Sequence, residues 1–178
     1  MNRSPGGDTD GLEGKVAMRS FRLLLLLLMA GGILNSTAAL AAGSDIPSPG
    51  PRDKCPVCGM FVAKYTDWVV SLTFRDSTSV FFDGPKDLFT YYLNMKKYNP
   101  SRKVADVVSM AVKDYYDFKP VDAKKAFFVV GSDVYGPMGK EIIPFRKEAD
   151  AREFMKDHKG KKIVGFGSVT PEILKTLE

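Results

Sequence analysis

Cysteine and histidine are scarce in this sequence of 178 residues, which contains two cysteines and one histidine. Small disulfide-stabilised scaffolds carry several cysteine pairs spread along the chain, so this class of protein is excluded. Cys55 and Cys58 are separated by only two residues. A disulfide between them would close a very small loop and add little stability. Their spacing therefore indicates a local chemical role.

Clustered charge is also lacking, although the net charge is +5. The basic residues occur in short scattered groups at positions 96–97, 124–125 and 159–162. A nucleic-acid-binding surface requires a basic stripe, so we interpret these residues as solvated surface. The single histidine, His158, lies in a lysine-rich segment and is interpreted as a surface residue rather than a metal ligand.

One long apolar run is present, at residues 23–29, and it lies near the N-terminus. Arg19 and Arg22 precede it, and the small-residue sequence Ala39-Leu40-Ala41 follows it. This order is typical of a secretory signal peptide, whereas a membrane anchor needs a longer uninterrupted run. We expect residues 1–41 to be removed on export and the protein to be periplasmic. Residues 1–41 contain no cysteine for a lipobox, so a lipid anchor is not expected.

The rest of the chain alternates between strand-like and helix-like patterns. Residues 42–53 are rich in Pro, Gly and Ser and are predicted to form a flexible linker. A first unit, residues 54–122, is predicted to contain two strands, a helix and a third strand, at residues 68–74, 79–82, 85–98 and within 104–116. Asp83 is the predicted N-cap of that helix, and Pro85 its first residue.

A second unit, residues 123–178, repeats this order and adds a final helix. The predicted segments are strands at 125–131 and 141–145 around a loop at 132–139, a helix at 147–156, a strand at 161–165 and a helix at 170–177, capped by Thr170. The fold class is therefore predicted to be α+β, with two small packed units of strand-strand-helix-strand type.

The segment CPVCGM places three sulfur side chains, those of Cys55, Cys58 and Met60, within six residues. Thiolate and thioether ligands are soft and select Cu(I) among biological metals. Gly59 allows the tight turn that would bring Met60 towards the thiols. These residues are predicted to bind one Cu(I) ion.

Three other interpretations of the CxxC pair remain open. Structural zinc normally uses four Cys or His ligands, and only His158 is left to add. A redox-active CxxC normally follows a strand and opens a helix, whereas a linker precedes this pair. An inert disulfide is the remaining alternative.

Met138 lies in the sequence Tyr-Gly-Pro-Met-Gly, flanked by residues that form loops. A methionine can fill a gap in a core, which is the simplest interpretation of a lone residue. Beside an incomplete sulfur site, Met138 becomes the best candidate for a further ligand. Met95, Met110 and Met155 follow helix or strand patterns and are predicted to be core residues.

Three segments together resemble the NosL family of accessory proteins for nitrous oxide reductase maturation: CPVCGMFVAKYTDW, FFDGPKDLF and FFVVGSDVYGPMGKEIIPF. The resemblance covers residues 54–170. It implies a fold of two small α+β units, similar to part of organomercurial lyase. It also implies metal binding by Cys58 and Met60 and by Met138 of the GPMG loop, while Cys55 matches the first motif position. Many members of the family are lipoproteins, and this sequence departs from them in lacking a lipobox.

The function expected from the resemblance is that of a periplasmic Cu(I) metallochaperone and not an enzyme. Its expected partners are a copper-receiving enzyme, such as nitrous oxide reductase or a related enzyme, and an ABC-type membrane complex. A thiol-disulfide oxidoreductase using Cys55 and Cys58 is the alternative. Organomercurial chemistry rests on fold likeness alone, and the sequence offers only Asp53 and Asp83 as formal candidates for an acid beside the thiols.

Overall fold

The structure is a computed structural model and describes residues 45–178. The predicted signal peptide and the first residues of the predicted linker lie outside this range. Within it, no helix is both long enough and apolar enough to cross a membrane. Ile46, in the predicted linker, packs against the hydrophobic core.

A four-stranded antiparallel sheet occupies the first part of the described chain. The elements are β1 (Val70–Phe74), β2 (Ser79–Phe82), α1 (Pro85–Leu93), α2 (Met95–Tyr98), β3 (Val107–Lys113) and β4 (Pro120–Asp122). The strand order is β2-β1-β3-β4. The β1–β2 hairpin pairs Val70 with Phe82 and Thr73 with Ser79, so the predicted hairpin is confirmed.

A three-stranded antiparallel sheet follows. Its elements are β5 (Phe127–Gly136), β6 (Gly139–Phe145), α3 (Glu148–Asp157) and β7 (Lys162–Gly165), and the chain then forms α4 (Pro171–Lys175). The strand order is β6-β5-β7. Thr170 caps α4 by accepting a hydrogen bond from the Ile173 N–H, as predicted.

The two sheets are built in the same way. In each, the first strand pairs with the second in a hairpin, a helix follows, and the third strand returns to pair with the free edge of the first. The predicted order of strand, strand, helix, strand and the α+β class are confirmed. The boundary predicted between residues 122 and 123 stays a prediction.

The main hydrophobic core joins the two sheets, because its buried residues come from strands of both: Leu72, Phe82, Met110, Phe128, Ile142 and Val164. A second cluster lies where α3 covers the three-stranded sheet, around Val129, Phe145 and Phe154. Met95 and Met110 are buried core residues, as predicted, and Met155 is partly buried beside the second cluster.

Two predicted boundaries are corrected by the structure, and one strand was missed. The predicted helix 85–98 is interrupted at Asn94, whose side-chain amide donates to the Thr90 carbonyl and so competes with the helical backbone. The predicted loop 132–139 is mostly strand, because β5 continues through an irregularity after Val130 and pairs with β6 up to Gly136. Strand β4 was not predicted, since three residues give too short a pattern.

Candidate metal site

The CPVCGM segment forms a tight loop closed by backbone hydrogen bonds. The N–H of Cys55 donates to the Met60 carbonyl at 2.9 Å, and the N–H of Gly59 donates to the Cys55 carbonyl at 2.8 Å. Gly59 has φ of +80°, a left-handed conformation that favours glycine. The loop therefore holds both cysteine side chains on one short, well-defined piece of backbone.

Two carboxylates meet the two thiols. The Cys55 thiol donates to Asp87 Oδ2 at 3.1 Å, and the Cys58 thiol donates to Asp83 Oδ1 at 3.2 Å. The candidate ligand atoms of these four residues all lie within 4.8 Å of one another. Both cysteines are free thiols. The sequence therefore folds into a compact group of two sulfur and two oxygen donors.

The position of Asp83 corrects the prediction that it caps α1. The N-cap is Gly84, and the Asp83 side chain turns to Cys58 instead. The helix N-terminus is served from another element, because the carboxylate of Glu141 on β6 accepts the N–H of Lys86 at 2.5 Å. Glu141, which is distant in the sequence, therefore accepts a hydrogen bond at the start of the helix, and Asp83 is free to accept the Cys58 thiol.

Burial keeps the thiols protonated in the absence of a cation. It raises the pKa of Cys55, and the neighbouring charge of Asp87 adds to this effect, although the backbone N–H groups of Cys58 and Val57 oppose it. Burial, supported by the hydrogen bond to Asp83, raises the pKa of Cys58 to about 12. Burial also raises the pKa of Asp87. The two thiols are therefore neutral in the metal-free site, and a soft cation can convert them to thiolates.

Glu141 is a third buried acid beside the cluster, and only 3% of its surface is exposed. One carboxylate oxygen accepts the N–H groups of Lys86 and Ile142. Burial raises the pKa of Glu141 to about 8, even though these two donors favour the charged form.

The two methionines predicted as ligands lie at different depths. Met60 is partly buried in the CPVCGM loop. Met138 is 46% exposed and, with Pro137, forms the two-residue tip of the β5–β6 hairpin. The carbonyl of Met138 accepts a hydrogen bond from Lys86 Nζ at 3.1 Å. The hairpin tip is thus tied to the first turn of α1, beside Asp87.

The comparisons with known proteins match this architecture. The sequence model of the NosL family matches residues 47–174. The chain belongs to the NosL family. Its fold is similar to that of the crystal structure of the copper chaperone NosL from Shewanella denitrificans, with 26% identity and a TM-score of 0.60, covering 73% of this chain and 98% of that one.

A second solved structure of the NosL family, the solution NMR structure of the apo-NosL protein from Achromobacter cycloclastes, is 23% identical. The match has a TM-score of 0.43 and covers 59% of this chain and 87% of that chain. No protein with a curated description matches the sequence.

Sequence reasoning missed two residues at this candidate site, Asp87 and Glu141. An acidic residue in the first turn of a helix is ordinary, since it complements the helix dipole, so Asp87 gave no distinctive signal. Its spacing of four residues from Asp83, on either side of the helix start, was the available clue. Asp53, named as a possible acid, bonds to Gly50 instead of either thiol.

The carboxylates also change two arguments made from the sequence. Asp83 and Asp87 raise the number of candidate ligands around the cysteines to four, so a shortage of ligands no longer argues against zinc. They also supply the acid beside the thiols that the sequence alone did not reveal. His158 lies elsewhere, stacked on Phe154 and beside Asp133.

Proposed function

We propose that this protein is a periplasmic Cu(I) metallochaperone without catalytic activity. It would supply copper for the maturation of nitrous oxide reductase or a related copper enzyme. The observation that carries the proposal is the pair of thiols, Cys55 and Cys58, held in one loop among carboxylates in a chain of the NosL family. The similar chain from Shewanella denitrificans is described as a copper chaperone.

The copper ion is the cargo, and its proposed ligands are Cys55, Cys58, Met60 and Met138. A thiolate binds Cu(I) more strongly than a thioether does, so the cysteines would hold the ion and the methionines would complete its soft environment. Cu(I) displaces the thiol protons, and the carboxylates of Asp83 and Asp87 leave the loaded site with a negative surrounding charge that favours a cation.

The raised pKa values of both thiols argue against the alternative function of a thiol-disulfide oxidoreductase. Such enzymes depend on an attacking thiolate, and their nucleophilic cysteine has a lowered pKa. Here burial and two nearby carboxylates stabilise the neutral thiol. A metal ion reverses this preference locally, whereas a disulfide substrate brings no positive charge.

The proposed location and partners follow from the role. Export by the N-terminal signal would place the protein in the periplasm, where nitrous oxide reductase or a related enzyme would receive the copper. An ABC-type membrane complex is the proposed intermediate partner. Co-purification of the copper-loaded protein with detergent-solubilised complex would test this contact, with Cys58→Ala as the unloaded control.

A competition experiment tests the metal. Reduced protein lacking residues 1–41 is titrated with Cu(I) against a chromogenic Cu(I) chelator, and separately with Zn(II) against a zinc chelator. We expect about one Cu(I) per chain and much weaker zinc binding, because the sulfur donors are soft. Zinc binding as tight as copper binding would refute the copper assignment, since Asp83 and Asp87 would then be acting as its hard ligands.

Oxidation provides the control for the role of the cysteines. Protein with a Cys55–Cys58 disulfide should lose most of its Cu(I) binding and regain it with reductant, because a disulfide sulfur is a poor ligand. Equal binding by the oxidised and reduced forms would remove the cysteines from the site.

A further inference from the structure

Glu141 reaches from β6 to the start of α1, where its side chain occupies space left open by two glycines. A Cβ atom on Gly84 would lie 2.2 Å from Glu141 Oε2, and one on Gly136 would lie 3.1 Å from the same atom. Two glycines on different elements therefore leave room for this one side chain. The carboxylate is fixed between the start of α1 and the end of β5.

Lys86 makes the reciprocal connection. Its backbone N–H donates to Glu141, and its ammonium group reaches in the other direction and donates to the carbonyl of Met138. One hydrogen bond joins α1 to β6, and the other joins α1 to the tip of the β5–β6 hairpin. We call this pair of contacts the Glu141–Lys86 clamp.

The clamp connects the two parts of the proposed site. On one side, the start of α1 carries Asp83 and Asp87, which hold the thiols of Cys58 and Cys55. On the other side, Met138 lies at the hairpin tip, three residues before Glu141. The two contacts of the clamp therefore connect the first turn of α1 to the β5–β6 hairpin.

We propose that Glu141 and Lys86 are positioning residues that hold the thioether of Met138 over the two cysteines when Cu(I) binds. The inference rests on the proposed function, but it assigns a role to two residues that are not themselves ligands. A clamp of this kind places the Met138 sulfur before the metal arrives, so less ordering is required on binding.

A double-mutant cycle with Cu(I) as the probe tests the clamp. The affinities of the wild type, Met138→Ala, Glu141→Ala and the double variant are measured by chelator competition, with thermal unfolding of each sample. If Glu141 acts through Met138, each single variant weakens binding about tenfold and the double variant is no weaker than either one. X-ray absorption at the copper edge should show one fewer sulfur neighbour in all three variants.

Three further variants distinguish an effect on the position of Met138 from an effect on folding. Glu141→Gln keeps an oxygen acceptor for the Lys86 and Ile142 N–H groups, so its affinity and sulfur count should stay close to wild type. Lys86→Leu removes the contact to the Met138 carbonyl, together with a positive charge near Asp87 and Glu141, and adds no sulfur. It should weaken binding by about two- to fivefold, again only when Met138 is present. Glu148→Ala, an exposed substitution on α3, should change neither quantity.

The outcomes distinguish the inference from the proposed function. A wild-type protein that binds no Cu(I) refutes the proposed function. A wild type that binds Cu(I) while the effects of Met138→Ala and Glu141→Ala multiply to about a hundredfold refutes the clamp, as does a full sulfur count in Glu141→Ala. If Glu141→Ala does not fold, the cycle of Lys86→Leu with Met138→Ala decides by the same criterion.

Discussion

Asp87 contacts both its own helix and the candidate metal site. As an acidic residue in the first turn of α1 it interacts favourably with the helix N-terminus, and its carboxylate also accepts the Cys55 thiol. Asp83, four residues earlier, does not act as the N-cap of α1, although aspartate is common at that position. Single residues near the site are thus explained by contacts with other elements, which residue type alone does not reveal.

Glu141 should give the protein a specific dependence of stability on pH. Its pKa is raised from 4.5 to about 8 in the folded state, so between these pH values the folded chain keeps a proton that the unfolded chain loses. The free energy of unfolding therefore falls as the pH rises through this range, by up to about 1.4 kcal/mol per pH unit from this group.

Urea unfolding of the metal-free protein at several pH values between 5 and 8 measures this effect. Glu141→Gln cannot ionise and should have a flatter profile than the wild type over the whole range. Parallel profiles for the two proteins would show that Glu141 ionises in the folded state as it does in water.

At the scale of secondary structure, the β5–β6 hairpin carries an exposed methionine at its tip. Met138→Ala should weaken Cu(I) binding and leave thermal stability nearly unchanged, because this side chain is 46% exposed. Met110→Ala is the matched control. Met110 is 1% exposed, so its truncation should cost about 2–5 kcal/mol of stability and leave copper affinity nearly unchanged.

Both quantities are measured on the same samples, by thermal unfolding and chelator competition. Intact copper affinity in Met138→Ala would remove this methionine from the proposed ligands. The site would then consist of the CPVCGM segment alone.

Hydrophobic periodicity was sufficient to predict most of the elements. The β1–β2 hairpin and α3 follow regular apolar patterns, and the Thr170-Pro171 start of α4 follows a local capping rule. The extension of β5 depends on pairing with β6, and the break at Asn94 on one side-chain hydrogen bond. Neither has a local sequence signal strong enough to outweigh the surrounding pattern.

The candidate site likewise contains residues that a local pattern predicts and residues that only the tertiary fold brings together. Cys55, Cys58 and Met60 were predicted from the sequence because they are adjacent and chemically distinctive. Asp87 joins them across 32 positions and Glu141 joins α1 across 55, so their proximity depends on the tertiary fold.

For the whole molecule, the shared core predicts cooperative unfolding. Leu72 and Phe82 from the first sheet pack in one cluster with Phe128 and Ile142 from the second, so neither sheet keeps its buried surface without the other. We expect a single transition for the chain from residue 42 onward. The fluorescence of Trp68, which packs beside the second cluster, should change together with far-UV circular dichroism.

Phe128→Ala is the informative variant, because this side chain is fully buried in the shared core. It should lower the free energy of unfolding by about 3–5 kcal/mol and shift both signals equally. Two separate midpoints would mean that the sheets unfold independently.

The unequal burial of the sulfur residues gives the proposed site one accessible side for ligand exchange. Cys55 is 1% exposed, Cys58 is partly buried, and Met138 is 46% exposed. An acceptor would therefore meet the weakly held thioether first, then compete for Cys58, and reach the bond to Cys55 last. Copper release would proceed through intermediates in which this protein and the acceptor bind the ion together. Its rate would increase with acceptor concentration, whereas spontaneous dissociation would remain slow.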